Sequence, residues 1–461
     1  MTEKTEADRR RLLFVVVIAS FTTPLMIAPV AVGVPAMAGA LHVSTVTATW
    51  IMTIFFVASA VFVLPFGRLA DVIGRRRVFA SGLALCVLTS SLAAFADSVL
   101  LLLVARSLQG IAAAMLYSTT NALVAAGFPP ARRGAAIGIN VTAIYLGLTA
   151  GPLVGGWVIE QFGWQSVFLC PVPLALVSLL LSMVWLTDDE HSTASTRFDY
   201  AGGVLFGIAI IALLVGFSWL PGAQGWGLVA LGLAVAAVFV LVETRQPAPV
   251  LEVSLFLHNR TFLYSCSSAF LSYASMFTVT YLVSLYLQSV TGTGASRSGL
   301  ILMIQPLMMT LLSPVAGRLS DRVEPRTIAS IGMAVMFVGF VVLSGLELSS
   351  SLLRCGIGVG LIGVGFALFS SPNINAIMGS VERRQFSVAT ATVAVTRLVG
   401  QSFGMGLITV VFALALGPLA LSSVPVARLN AAIGSCFLVA GAMCAAGMFA
   451  SLARGPRAGT D

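Results

Sequence analysis

Fourteen apolar stretches, each near the roughly 20 residues a helix needs to cross a bilayer, leave this 461-residue chain almost no room for anything else. They fall at 12–36, 47–66, 78–96, 99–125, 135–158, 166–186, 200–220, 226–243, 262–287, 298–316, 327–346, 352–378, 387–413 and 430–452. Hydrocarbon offers no hydrogen bonds, so a spanning segment must satisfy its own backbone, and stretches of this length do so as helices. The expected fold class is therefore all-α and integral to the membrane, with 14 transmembrane helices. Charged residues make up 9 % of the chain, against about 25 % in a soluble domain.

The second and tenth stretches end on near-identical strings, Gly67-Arg68-Leu69-Ala70-Asp71 and Gly317-Arg318-Leu319-Ser320-Asp321. More arginine follows each: Arg75, Arg76 and Arg77, then Arg322 and Arg326. Both strings read as tight, basic turns in a chain built twice. Two such halves can rock around a shared central site, as secondary transporters do. The organisation expected is two pseudo-symmetric six-helix bundles, residues 1–186 and 261–461. An inserted helix pair with its flanking loops, 187–260, separates them, bounded by the polar stretches Thr187–Arg197 and Glu243–Pro249.

With the N-terminus in the cytoplasm, 20 of the 25 lysines and arginines fall on the cytoplasmic side, the bias that orients membrane proteins. The net charge of +8 then reports topology, and no nucleic-acid partner is expected. A multi-pass protein of the cell membrane with both termini cytoplasmic follows. The apolar run after Lys4–Arg11 is too long for the roughly 7–15 residues of a signal h-region, so it reads as a retained first span. Six cysteines without a C-x-x-C suggest packing residues, with no metal site. The single lysine, Lys4, leaves no P-loop, which needs one. No H-E-x-x-H and no mid-span carboxylate pair is present, so neither an enzyme nor a cofactor is expected.

Several residues stand out against this apolar background. Asp71 can cap a neighbouring helix and pair with Arg75, contacts that would change as halves move; it can equally be part of a plain turn. Arg106 sits within the fourth span, where a cation costs roughly 2.5–3.5 kcal/mol on insertion scales. It must face a pathway or be locked to backbone carbonyls. In the fifth span Gly147, Gly151 and Gly155, with Gly156, make a smooth face for close helix contact, and Pro152 bends the helix. The remaining polar core candidates are Thr22, Thr23, Tyr117, Asn121, Asn140, Tyr145, Gln305, Asn373, Asn375, Arg397 and Gln401. Each either lines a pathway or bonds a neighbouring helix. Met303, Met308, Met309, Phe270 and Phe277 suit an adaptable greasy pocket or simply face lipid.

The strings GRLADVIGRRR, RSLQG and GLTAGPLVGG, in that order, resemble the signature motifs of the major facilitator superfamily. Fourteen spans resemble its drug:proton antiporter branch, as do Ser371–Asn375 and Arg397–Gly404. The resemblance covers roughly residues 12–452. It implies proton-coupled efflux of small amphipathic molecules by a monomer in the lipid bilayer. It also implies that Asp71 with Arg75, and Asp321 in the second copy, gate the carrier, that Arg106 assists proton coupling, and that Gly147–Gly156 limits leak. One position departs: Met26 stands where that branch carries an acid. With no carboxylate confidently mid-membrane, the core should be neutral to positive and favour neutral or anionic amphipaths. A uniporter, an organic-anion exporter without proton coupling and a non-transporting membrane sensor are the alternatives.

Overall fold

The computed structural model describes residues 5–186, 200–246, 253–320, 322–381, 386–417 and 419–455. Asp321, Lys4 and the Thr187–Arg197 stretch lie outside them. Helices account for nearly everything, and among the described residues the only extended pairing is an isolated bridge between Ser44 and Ala420. In chain order the first helices are α1 (Glu6–Leu25), α2 (Ala28–Ala40), α3 (Thr45–Ile73), α4 (Arg75–Ala94), α5 (Val99–Gly127), α6 (Pro130–Phe162) and α7 (Val172–Trp185). A middle set follows, α8 (Tyr200–Ser218), α9 (Ala223–Glu243) and the short α10 (Val253–His258). The last are α11 (Arg260–Leu285), α12 (Ala295–Leu302), α13 (Ile304–Ser320), α14 (Pro325–Ser344), α15 (Leu352–Gly379), α16 (Phe386–Leu416) and α17 (Val426–Ala453).

Thirteen candidate spans among the described residues are long and apolar enough to cross a membrane, and a shorter apolar helix covers Ala201–Phe217. That shorter helix is the seventh expected span, paired with the eighth. Local chemistry sets the ends. Thr5 and Asp8 form a reciprocal capping box at α1, and Ser44, Ser98, Asn259 and Ser351 cap α3, α5, α11 and α15 through their side-chain oxygens, each satisfying a backbone N–H that the helix leaves bare.

Three sequence expectations need correction. The first span is two helices, because Pro29 cannot bond the carbonyl of Leu25 and its ring crowds it; the chain turns at Met26 and Ile27 and restarts at Ala28. The tenth span is likewise divided at Met303, next to Leu302, whose carbonyl lies four residues before the donor-less Pro306. Finally, Gly67–Asp71 is no turn: α3 runs on to Ile73, and the corner is Gly74, whose φ of 104° suits a residue without a Cβ. The matching Gly317–Ser320 is also helical.

Helix α1 packs on α5, α6 and α7, while α5 packs on α3 and α4. Later in the chain α11 packs on α15, α16 and α17, and α14 on α15 and α17. Side chains of α8, Phe206, Ile210 and Leu214, join Val61 and Leu64 of α3 and Leu398 of α16 in one apolar cluster. The inserted pair thus covers the seam where α3 meets α16. Both chain ends described lie at one end of the helices: Glu6 pairs with Arg132 at 3.1 Å, and Arg260 Nε donates to the Ala453 carbonyl at 3.1 Å. That end is termed proximal.

Candidate functional site: the seam between the helix groups

Hydrogen bonds between α1–α7 and α11–α17 gather at the distal end. Thr49 and Thr409 share one of 2.7 Å, and Leu421 N donates to the Val43 carbonyl at 3.4 Å. The Val32 carbonyl on α2 accepts from Ser284 Oγ at 3.2 Å and from Gln288 Nε2 at 2.7 Å. Glu160, at the end of α6, accepts from Ser296 N at 2.9 Å and Ser296 Oγ at 2.6 Å. Its carboxylate therefore sits on the N-terminus of α12, where bare N–H groups favour negative charge.

The glycines of α6 let this closure be tight. A Cβ at Gly147 would stand 2.5 Å from the Phe21 carbonyl oxygen, at Gly151 2.6 Å from Ala28 Cβ, and at Gly155 2.6 Å from Pro29 Cα. Those three seat α6 on α1 and α2. Gly156 instead abuts the Ala295 carbonyl, and Pro152 the backbone of Gly299, so the same segment also touches α12. A side chain at Gly147, Gly155 or Gly156 would meet backbone, and one at Gly151 would meet Ala28 Cβ and the Pro29 ring.

Arg106 is fully buried. Its Nε donates to the Ile51 carbonyl at 2.9 Å, and Nη1 donates to the Met26 carbonyl and to Gln109 Oε1, both at 2.8 Å. Its guanidinium carbon lies 4.5 Å from the centroid of the Phe55 ring. Of the two environments the sequence leaves open, these contacts are those of a strut: one side chain on α5 satisfies the carbonyl bared by the α1–α2 break and ties it to α3. Met26 itself is buried, its sulfur 3.6 Å from Cys86.

Arg397 also rests on an aromatic ring but differs in exposure. It is partly exposed a third of the way along α16, stacked 5.0 Å from the ring centroid of Tyr117 on α5. Tyr145 of α6, also partly exposed, has Ser370, Ser313, Tyr273 and Arg397 as its electrostatic neighbours. Side chains from four helices of the later group and two of the earlier thus bring tyrosine and serine hydroxyls toward one guanidinium. Nearby, Asn140 Nδ2 donates to Asn121 Oδ1 at 3.0 Å, and Phe56 meets Phe277 edge-on, centroids 5.8 Å apart.

The other candidates scatter. Asn373 is buried, donating to the Ser265 carbonyl at 3.1 Å and accepting from Arg454 at 3.2 Å. Exposed Asn375 donates to Ser320 Oγ at 2.7 Å. Gln305 and Gln401 are buried, and Gln305 Nε2 has no partner among the described residues. Asp71 pairs with Arg75 at 3.1 Å around the Gly74 corner. Sequence reasoning missed Arg454, buried against Ser451, Ser265 and Asn373; one step past the last apolar run, it looks like any other flanking cation. It also missed Glu160 with Ser296, although Gly294-Ala295-Ser296 before an apolar run carries a helix-start signal. Among the described residues, no three His, Cys, Asp or Glu side chains group to hold a metal.

A helical membrane protein whose two helix groups meet along a polar seam belongs to the class of multi-pass membrane transporters. The family model described as Major Facilitator Superfamily matches residues 14–405, and the chain belongs to that family. It is 30 % identical over 381 residues to the uncharacterized transporter YebQ of Escherichia coli (strain K12), covering 82 % of this chain and 83 % of YebQ. It is 30 % identical to the multidrug resistance protein Stp of Mycobacterium tuberculosis (strain CDC 1551 / Oshkosh), covering 79 % of this chain and 68 % of Stp. The crystal structure of a POT family transporter in complex with a thioalcohol conjugated peptide superposes with a TM-score of 0.72 over 95 % of this chain and 94 % of that one. At 14 % identity that likeness concerns the fold alone.

Proposed function

We propose that this transporter is a fourteen-helix, proton-coupled exporter of small amphipathic molecules that works by alternating access. Residues 1–186 and 261–461 form its two six-helix bundles, and 187–260 the inserted pair. The observation that carries the reading is the distribution of inter-group bonds: they close the distal end over Tyr117, Tyr145 and Arg397, which stay partly exposed. That is the expected arrangement of a carrier open toward its termini, which the excess of lysine and arginine places in the cytoplasm. In this reading Asp71, Arg75 and Asp321 gate the proximal end, Gly147–Gly156 seals the distal one, and Arg106 supports coupling by holding the α1–α2 break. The multidrug resistance named for Stp supports export of amphipaths.

One observation favours a second reading, organic-anion export without proton coupling: among the described residues no carboxylate joins the Tyr117–Arg397 group. Recording intravesicular pH during substrate flux in proteoliposomes separates the two. Substrate-dependent proton movement supports antiport, flux without it supports the alternative, and no flux for any amphipath defeats both.

A further inference from the structure

Within the transport reading above, we propose that Arg397, with the rings of Tyr117 and Tyr145, binds the carboxylate of an aromatic acid. The inference starts from an imbalance between the two arginines carried inside spans. Arg106 is enclosed and three of its N–H bonds end on protein oxygens. Arg397 reaches partly exposed space and rests on Tyr117 at 5.0 Å. A guanidinium lying on an aromatic face keeps all five donors in its plane, directed outward, in the fork that matches a carboxylate.

A cation at membrane depth is costly unless something answers its charge. No described carboxylate does so. Of the described acids on neighbouring helices, Asp71 is engaged at the proximal corner and Glu160 at the distal end; Glu243 is buried at the end of α9, and Glu324 pairs with Arg326 beside α14. The charge is left for solvent or for an incoming anion.

Tyr145 supplies the second element. Within electrostatic reach of Arg397, Tyr273, Ser313 and Ser370, it adds a second aromatic ring to the Tyr117–Arg397 stack. An arene can lie against Tyr117 or Tyr145 while its carboxylate faces the guanidinium. Such a site discriminates by charge: a cation of the same shape meets Arg397 with like sign, and a neutral isostere loses the charge-assisted bonds.

The test uses the full chain in detergent and three matched probes: 2-naphthoate, 2-naphthamide and 2-naphthylmethylammonium. Scintillation-proximity binding should rank naphthoate first. Arg397→Gln should weaken naphthoate about tenfold or more, the scale of a lost hydrogen bond to a charged group, and leave naphthamide within about twofold. Arg397→Lys keeps charge without the fork and should recover part of the loss, which guards against a variant that merely misfolds. Equal loss of acid and amide in Arg397→Gln, failure of the lysine variant to recover any naphthoate binding, or tightest binding of the ammonium probe by the unmodified chain would overturn the site. Naphthoate binding without flux in proteoliposomes would leave the site standing and defeat the transport reading instead.

Discussion

Arg106 illustrates how a single side chain carries a helix break. Replacing it with leucine removes the donors that satisfy the Met26 carbonyl and Gln109 Oε1, both in surroundings closed to water. An orphaned buried acceptor costs about 1–3 kcal/mol, and relief from burying a charge offsets only part of that. Arg106→Leu should therefore lower the thermal unfolding midpoint of the purified protein, by a destabilisation of about 3 kcal/mol. Arg106→Lys should recover less than half, since one ammonium cannot span the Met26 and Ile51 carbonyls as the fork does. An unchanged midpoint in Arg106→Leu would mean that α1 and α2 hold their angle by packing alone. The Asp71–Arg75 pair is a contrasting case. Both side chains are about a third exposed, a setting in which ion pairs contribute about 1 kcal/mol or less, so the pair adds little to stability.

At the scale of one element, α6 separates two kinds of glycine that look alike in the sequence. Gly151 faces Ala28, where an added Cβ would overlap a neighbour at 2.6 Å; Gly138, three and a half turns earlier on the same helix, has nothing within 4 Å. Overpacking a tight contact typically costs about 1–3 kcal/mol, whereas alanine in an open helical position gains up to about 1 kcal/mol over glycine. Gly151→Ala should thus destabilise and Gly138→Ala should be neutral or stabilising in the same unfolding assay. Gly151→Leu should go further and abolish or uncouple flux, because α6 must then leave α2 and take its contact with α12 along. Equal effects at the two positions would show that α6 is free to shift sideways.

Across the whole molecule, the proposed alternating access requires the distal end to open. Thr49 and Thr409 sit on α3 and α16 with their hydroxyls 2.7 Å apart, close enough for a pair of cysteines to approach disulfide geometry. The double variant Thr49→Cys, Thr409→Cys, once oxidised, should lose substrate flux almost completely and regain it on reduction. The unmodified chain treated with the same oxidant is the control, as its six cysteines are free and five are buried. Full flux through quantitatively cross-linked protein would mean that α3 and α16 need not part during transport.

The all-helical membrane fold class and the glycine face of α6 were legible from the sequence, because each depends on local requirements. A helix in lipid must satisfy its own backbone, and only small residues allow backbones to touch. Tertiary structure alone decided which polar residues meet. Lipid is as apolar as a protein interior, so the pattern of a membrane helix does not mark the face that turns inward. For that reason Arg106 and Arg397 look alike in the sequence as arginines within spans, and only the structure shows Asn373 accepting from Arg454. Tyr117 and Arg397, 280 residues apart in the chain, become neighbours only where α5 and α16 converge, while the approach of α3 and the α1–α2 break to α5 makes Arg106 a strut.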